Sequence, residues 1–422
     1  MTPAHARPAL AVPHDRLRAL FPSLAQEVNG HPAVFLDGPG GTQTPGVVIE
    51  AMAGYLSRDN ANLGGAFVTS ERTVATVAAA RRDVAEFLHA SRPEEIVFGQ
   101  NKTSLTFSLA HALGRTWHAG DEVVITSLDH DANVAPWVLA AEDAGATVRT
   151  WELRREDCAL YVEDLEPLLN ERTRLVALTH GSNIVGSIPD VAAAVRQVRA
   201  QAPDALVFID AVHYTPHNPV DVQALDCDFL GCSAYKFCGP HLGILYGKYA
   251  HLDGLKAYKV RASTNLPPGK WETGTQSFES IAALRSCLGY LASLDDEEGP
   301  GRLRRALERV KEYEATLSRR FLENLFERVP GVTLHGRLDP ADVGRRTPTF
   351  ALTLANHTPR QVAEHLGQQG IFVGDGHYYA IAVVDRLGLA DKGGVVRLGF
   401  AHYNTPEEVD RVINALAALA QS

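Results

Sequence analysis

Two residues near the middle of the chain have types and spacing that suit covalent cofactor chemistry: Asp210 and Lys236. Asp210 closes the apolar run Ala205-Leu206-Val207-Phe208-Ile209, which reads as a buried strand. Lys236 follows a second such run, 227–233, and Leu242-Gly243-Ile244-Leu245-Tyr246 reads as a third. An acid at one strand end and a lysine just past the next lie where open α/β sheets bind their ligands. A lysine amine there can form a Schiff base with an aldehyde cofactor, and a carboxylate can hold a pyridine nitrogen protonated. Taken alone, the same pair also describes ordinary surface charges.

The elements that must position these groups repeat as strand, loop and helix from about 95 to 245, which predicts an α/β fold with a mainly parallel sheet covered on both faces. Each strand ends in a polar loop. Gly99-Gln100-Asn101-Lys102-Thr103-Ser104 leads into a helix, whose free N–H groups form an anion site, although Thr103 and Ser104 also suit a plain helix cap. Asp129-His130-Asp131 follows the strand at 122–126; His180-Gly181-Ser182-Asn183 follows that at 173–179, where an Asn beside glycines is also a turn former. Upstream, Ala33-Val34-Phe35-Leu36 reads as a strand entering Asp37-Gly38-Pro39-Gly40-Gly41-Thr42. That turn lacks the Gly-x-Gly-x-x-Gly and Walker patterns, so it is no nucleotide loop. Residues 71–89 read as a helix, and 15–28 as one interrupted by Pro22.

The acidic, Gly- and Pro-containing stretch 295–301 marks a domain boundary. Beyond it come a long helix (303–328), strands at 349–354, 371–373 and 395–400, a helix capped by Thr358, and a last helix opened by the capping box Thr405-Pro406-Glu407-Glu408. The predicted organisation is a disordered lead-in (1–13), an N-terminal helix packing on the small domain (14–32), a large domain (33–295) and a small α+β domain (296–422). A net charge of -10 argues against nucleic-acid and membrane-surface partners, and no apolar run is long enough to span a bilayer. Five cysteines without Cys-x-x-Cys spacing read as reduced thiols of a cytoplasmic protein, not as disulfides or metal ligands.

The order Asp210-Ala211-Val212-His213, then 221–229, then Ser233-Ala234-Tyr235-Lys236-Phe237-Cys238-Gly239-Pro240 resembles the pyridoxal phosphate (PLP) enzymes of aminotransferase class V, most of all the cysteine desulfurases and their desulfurase-like relatives. The likeness runs from about Phe35 to the C-terminal helix. It implies a PLP-binding large domain, with Lys236 carrying the cofactor, Asp210 on its ring nitrogen, and His130 lying on the ring and passing protons. It places the phosphate at Thr103, beside Lys102, with Ser233 and Tyr235, and gives Asn183 to the phenolic oxygen or the substrate carboxylate. It makes Arg397 the clamp for the carboxylate of a small amino-acid substrate. The segment Trp271-Glu272-Thr273-Gly274-Thr275-Gln276 resembles one that crosses a homodimer, so Thr275 is expected in the partner's site.

The chain also departs from that pattern. His213 stands where the family has glutamine, and Tyr235 where desulfurases have histidine. In Gly374-Asp375-Gly376-His377-Tyr378-Tyr379-Ala380, Tyr379 matches the sulfur-accepting cysteine and Gly374 an arginine. His377 and Tyr379 are therefore expected to line the substrate pocket. The leading expectation is a cytoplasmic, homodimeric PLP enzyme that cleaves C–S bonds by β-elimination. The alternatives are a desulfurase using another thiol, a racemase or epimerase, an aminotransferase, or a kynureninase-like enzyme. A non-catalytic PLP-binding partner protein is disfavoured, since it has no use for a carboxylate clamp.

Overall fold

The computed structural model describes residues 10–421. Its main sheet has seven strands in the spatial order Ile96–Gly99, Gly243–Gly247, Phe229–Ser233, Leu206–Asp210, Thr173–Thr179, Glu122–Thr126, Thr147–Trp151. Gly243–Gly247 runs antiparallel to both neighbours, and the other pairings are parallel. Continuous apolar runs form these strands because both faces are covered. Phe208 points into a core with Trp137 and Leu105, while Val207 and Ile209 point into the opposite one with Val84, Val195 and Ile281. Helices Lys102–Gly114 and Ala135–Ala144 cover the first face; Val68–Leu88, Val191–Gln201 and Phe278–Ala292 cover the second. Chain order reverses at Glu122–Thr126, which sits between the strands that follow it, and ligands bind at such a switch point.

A second, antiparallel sheet takes the order Val332–His335, Thr349–Leu354, Val395–Gly399, Gly374–Gly376. Helix Arg302–Arg328 joins the two bodies. Its Leu303, Ala306, Leu307 and Val310 pack in the large core, and its Leu317, Phe321, Leu322 and Leu325 in the small one. The helix that follows the stretch expected as the boundary thus contributes to both cores. Strand Val34–Phe35, expected to open the large domain, pairs with Ile371–Phe372, and Val34 and Leu36 lie in the small core. Pro22 does interrupt the first helix, which is His14–Ala19 followed by a 3-10 turn. Leu17 and Phe21 of that segment join the large core, while Arg18 reaches the C-terminal segment. Of the expected disordered lead-in, 1–9 lie outside the described residues. Leu10 is buried and the Ala11 N–H donates to the Leu294 carbonyl, so 10–13 are ordered. No helix of the described residues is long and apolar enough to cross a membrane.

The start of helix Pro406–Ala420 ties the termini together. Thr405 Oγ1 accepts from the Glu408 N–H, and Glu408 Oε2 accepts from the Thr405 N–H, completing the capping box read from sequence. The same carboxylate accepts from Asn404 Nδ2 at 2.8 Å and pairs with Arg18 at 2.8 Å. Thr405→Ala is expected to cost about 1 kcal/mol. Glu408→Ala, which also removes the Arg18 ion pair and one Asn404 bond, is expected to cost about 2–3 kcal/mol. Denaturant unfolding of both variants measures the difference, and equal losses would contradict this reading.

Candidate active site

A cavity of about 250 Å³ opens at the carboxyl edge of the main sheet. Strand Phe229–Ser233 runs into the short turn that carries Lys236, and strand Leu206–Asp210 ends at its acid. Lys236 is buried, and its Nζ donates to the carbonyls of Pro39 (2.5 Å) and Gly40 (3.0 Å). The glycine-rich turn is therefore a wall of the cavity. Burial, aided by Arg397 and opposed by Asp210 and Asp37, lowers the Lys236 amine to about 7. Near neutral pH a large share of this amine is uncharged and nucleophilic.

Asp210 is fully engaged: Oδ1 accepts from the Val212 N–H at 3.0 Å, and Oδ2 faces Lys102 Nζ at 2.6 Å. His130 Nδ1 accepts from the Ala132 N–H at 3.0 Å, which places the ring proton on Nε2. Burial lowers His130 to about 4, so it is neutral at pH 7. Its ring stacks on Tyr379 with centroids 5.2 Å apart. The preceding Asp129 is buried and bonded to Thr126, Asn133 and the Thr179 N–H, and burial raises it to about 7.

Arg397 enters from the small domain. Its Nη1 donates to the Asn183 carbonyl at 2.8 Å and its guanidinium lies 3.8 Å over the Tyr378 ring. The buried cation is thus held by a carbonyl and a ring, not by a carboxylate, and burial lowers it to about 10. Tyr378 was not anticipated. A Cβ on Gly374 would lie 2.3 Å from the Tyr378 hydroxyl, so the glycine leaves the room this ring occupies. Tyr378 and Tyr379 both adopt left-handed backbone (φ 51° and 59°), an uncommon state for non-glycine residues that turns both rings toward the cavity.

The remaining expected residues divide. Thr103 lines the cavity from the first helical turn, while Asn101 and Ser104 form the capping box, which separates the two roles that sequence left open. Ser233 Oγ accepts from the Lys102 N–H, and Tyr235 stacks on His241 at 4.9 Å; both line the cavity. His213 lines it too, with Nε2 2.8 Å from Thr349 Oγ1. His377 does not: it is exposed, and its Nδ1 accepts from the Tyr379 N–H, so the turn that sets Tyr379 at the cavity's mouth holds His377 outside. Thr275 is exposed in a separate groove with Gln100, Ser104 and His241, away from this chain's own cavity.

Asn183 Oδ1 and His213 Nδ1 are buried at the cavity without a protein partner, and such groups are costly to leave unmatched. Together with the Lys236 amine, the Asp210 carboxyl and a helix N-terminus, these residues fit a cofactor having an aldehyde, a basic ring nitrogen and a phosphate. The aminotransferase class-V model matches residues 34–412. A cysteine desulfurase of Pectobacterium atrosepticum is 35% identical over 96% of this chain and 98% of its own length. One from Dickeya dadantii is 33% identical, covering 96% of each. Among solved structures, the apo cysteine desulfurase of Thermococcus onnurineus superposes with a TM-score of 0.84 at 26% identity, covering 95% of this chain and 98% of that one. An Escherichia coli cysteine desulfurase gives 0.83 at 26%, covering 97% and 99%. With this cavity at its switch point and this breadth of likeness, the chain belongs to the aminotransferase class-V family of PLP-dependent enzymes.

Proposed function

We propose that this protein is a C–S lyase that removes the sulfur-bearing side chain of a small amino acid by β-elimination. The observation that carries the reading is the absence of a thiol from the cavity. Among the described residues all five cysteines are buried and none lines it. The loop in which desulfurases are expected to carry their sulfur acceptor presents Tyr378 and Tyr379 instead. Cys238 is two residues from Lys236, but burial pushes its thiol up to about 12, so no thiolate is present at neutral pH.

PLP, when bound, withdraws electrons from the α-carbon of the amino acid joined to it. Lys236 would hold the cofactor, Asp210 its ring nitrogen, His130 a ring face, and Thr103, Ser233 and Tyr235 its phosphate. Asn183 Oδ1, His213 Nδ1 and the Tyr378 hydroxyl are buried polar atoms of cavity-lining residues that lack a protein partner. Arg397 would take the substrate carboxylate through parallel N–H donors, fixing the amino acid's orientation. The Lys236 amine, near 7, is suited to accept the α-proton. A departing thiolate needs a proton, and His130 Nε2–H and the Tyr379 hydroxyl are the donors offered at the cavity. Thr275 is assigned to the partner's site in a homodimer. Five reduced cysteines suit a reducing, cytoplasmic setting.

A second reading is favoured by the relatives, which are named cysteine desulfurases. Turnover of cysteine or a cysteine conjugate is expected to give pyruvate, ammonia and free sulfide or thiol, with no protein persulfide. Mass measurement after thiol trapping decides: a persulfide on Cys238, lost together with activity in Cys238→Ser, replaces the lyase reading with desulfuration.

Two further outcomes are expected. Capture of PLP by the cofactor-free protein requires the uncharged amine, so its rate should rise as pH passes about 7 and level off above. A rate still climbing toward about 10.4 would mark an ordinary lysine. Borohydride reduction followed by peptide mapping should find the adduct on Lys236. The protein should sediment as a dimer, and Thr275→Ala should weaken PLP retention by about tenfold, the scale of one bond to a charged oxygen. A monomer with full PLP affinity would refute the shared site.

A further inference from the structure

Lys102 is a buried cation that the chemistry above does not use. It opens helix Lys102–Gly114, and its stem runs inward over Gly231, where a Cβ would lie 2.9 Å from Lys102 Cγ. Gly231 is the strand partner of Asp210, so its missing side chain clears the way to the carboxylate. At the end of that path Nζ stands 2.6 Å from Asp210 Oδ2, with 4% and 7% of the two side chains exposed. Nζ also donates to the Ala132 carbonyl at 3.1 Å and lies 5.3 Å from the Phe208 ring centre. A glycine inside a strand and a desolvated ammonium are both unfavourable by themselves. The ion pair they make possible is what offsets them.

We propose that Lys102 is a positioning residue that shares Asp210 with the ring nitrogen of PLP. Without cofactor it supplies the positive charge that this buried acid requires. With cofactor it limits how far the acid depends on the ring nitrogen. The inference rests on PLP being the cofactor. It has a thermodynamic consequence: removing the ammonium strands Asp210 in the cofactor-free protein, whereas in the loaded protein the ring nitrogen partly replaces it. Loss of Lys102 must then cost the empty form more than the loaded form, and by linkage the cofactor must bind more tightly.

The test uses Lys102→Met, which keeps the stem and removes the charge. Thermal midpoints are measured with and without PLP, and the PLP dissociation constant is measured by quenching of intrinsic fluorescence. The midpoint of the empty form should fall by more than that of the loaded form, and the dissociation constant should drop by about tenfold, a fraction of what stranding a buried charge costs. Lys102→Arg should keep the wild-type gap. Adding Asp210→Asn to Lys102→Met should restore much of the empty form's midpoint, because the neutral amide needs no counter-charge. Equal falls in both forms, with PLP affinity unchanged or weaker, would make Lys102 a plain structural ion pair and overturn the proposal. A Lys102→Met protein recoverable only in the presence of PLP supports it, and one that fails to fold even with saturating PLP overturns it. A wild-type protein that takes up no PLP would instead sink the cofactor assignment beneath it.

Discussion

A carboxylate enclosed at the end of a central strand has to be met by positive charge, and in this protein Asp210 sets what its surroundings must supply. Lys102 answers it directly at 2.6 Å. A further cation, Arg397, shares the cavity, and its charge adds to burial in lowering the Lys236 amine. The other titratable groups settle around that arrangement. His130 is held neutral by burial although Asp210 favours its charged form. Asp129 is raised to about 7 by burial, with Asp210 adding to the rise. One buried anion, a small set of cations and a neutral imidazole thus coexist within one enclosure. That is the condition under which a lysine can act as nucleophile and base near neutral pH.

Much of this was legible in sequence for a simple reason. Parallel strands covered on both faces read as unbroken apolar runs, and the polar residues at their carboxyl ends are the ones delivered to the cavity. Asp210, Lys236, His130, Asn183 and Thr103 all sit at such ends or on the turns that follow. Arg397 comes from the other sheet, and spacing alone gives no reason for it to meet them; only likeness to the family pointed there. What escaped reading is set by tertiary packing. Gly374–Gly376 has the composition of a loop and is a strand because Val395–Gly399 offers it an edge. Lys102 reads as a phosphate-side residue from its place at a helix start, and only the clearance over Gly231 shows that it turns toward Asp210. His377 and Tyr379 are two positions apart, yet the left-handed backbone at Tyr378 and Tyr379 separates them, one exposed outside the cavity and one at its mouth.

The two domains are bound to each other at the site, with consequences for what the 374–380 loop can do. The Tyr378 carbonyl accepts from Asn183 Nδ2 at 2.9 Å and the Tyr379 carbonyl from the Asp131 N–H at 2.7 Å. Both donors lie on loops at strand ends of the large domain, beside the groups that would hold the cofactor. The Tyr378 ring in turn lies against Arg397, and its hydroxyl fills the space that Gly374 leaves. Moving the loop outward would break both hydrogen bonds and uncover a desolvated guanidinium. A residue that accepts sulfur in the cavity and passes it to another protein has to make that outward movement, or be reached from outside. A proton donor does not, because its product diffuses away. The way this loop is fastened and the lack of a thiol on it therefore point to the same chemistry. On the C–S lyase reading proposed above, the loop would stay fastened over the amino acid and the sulfur would leave as a small molecule.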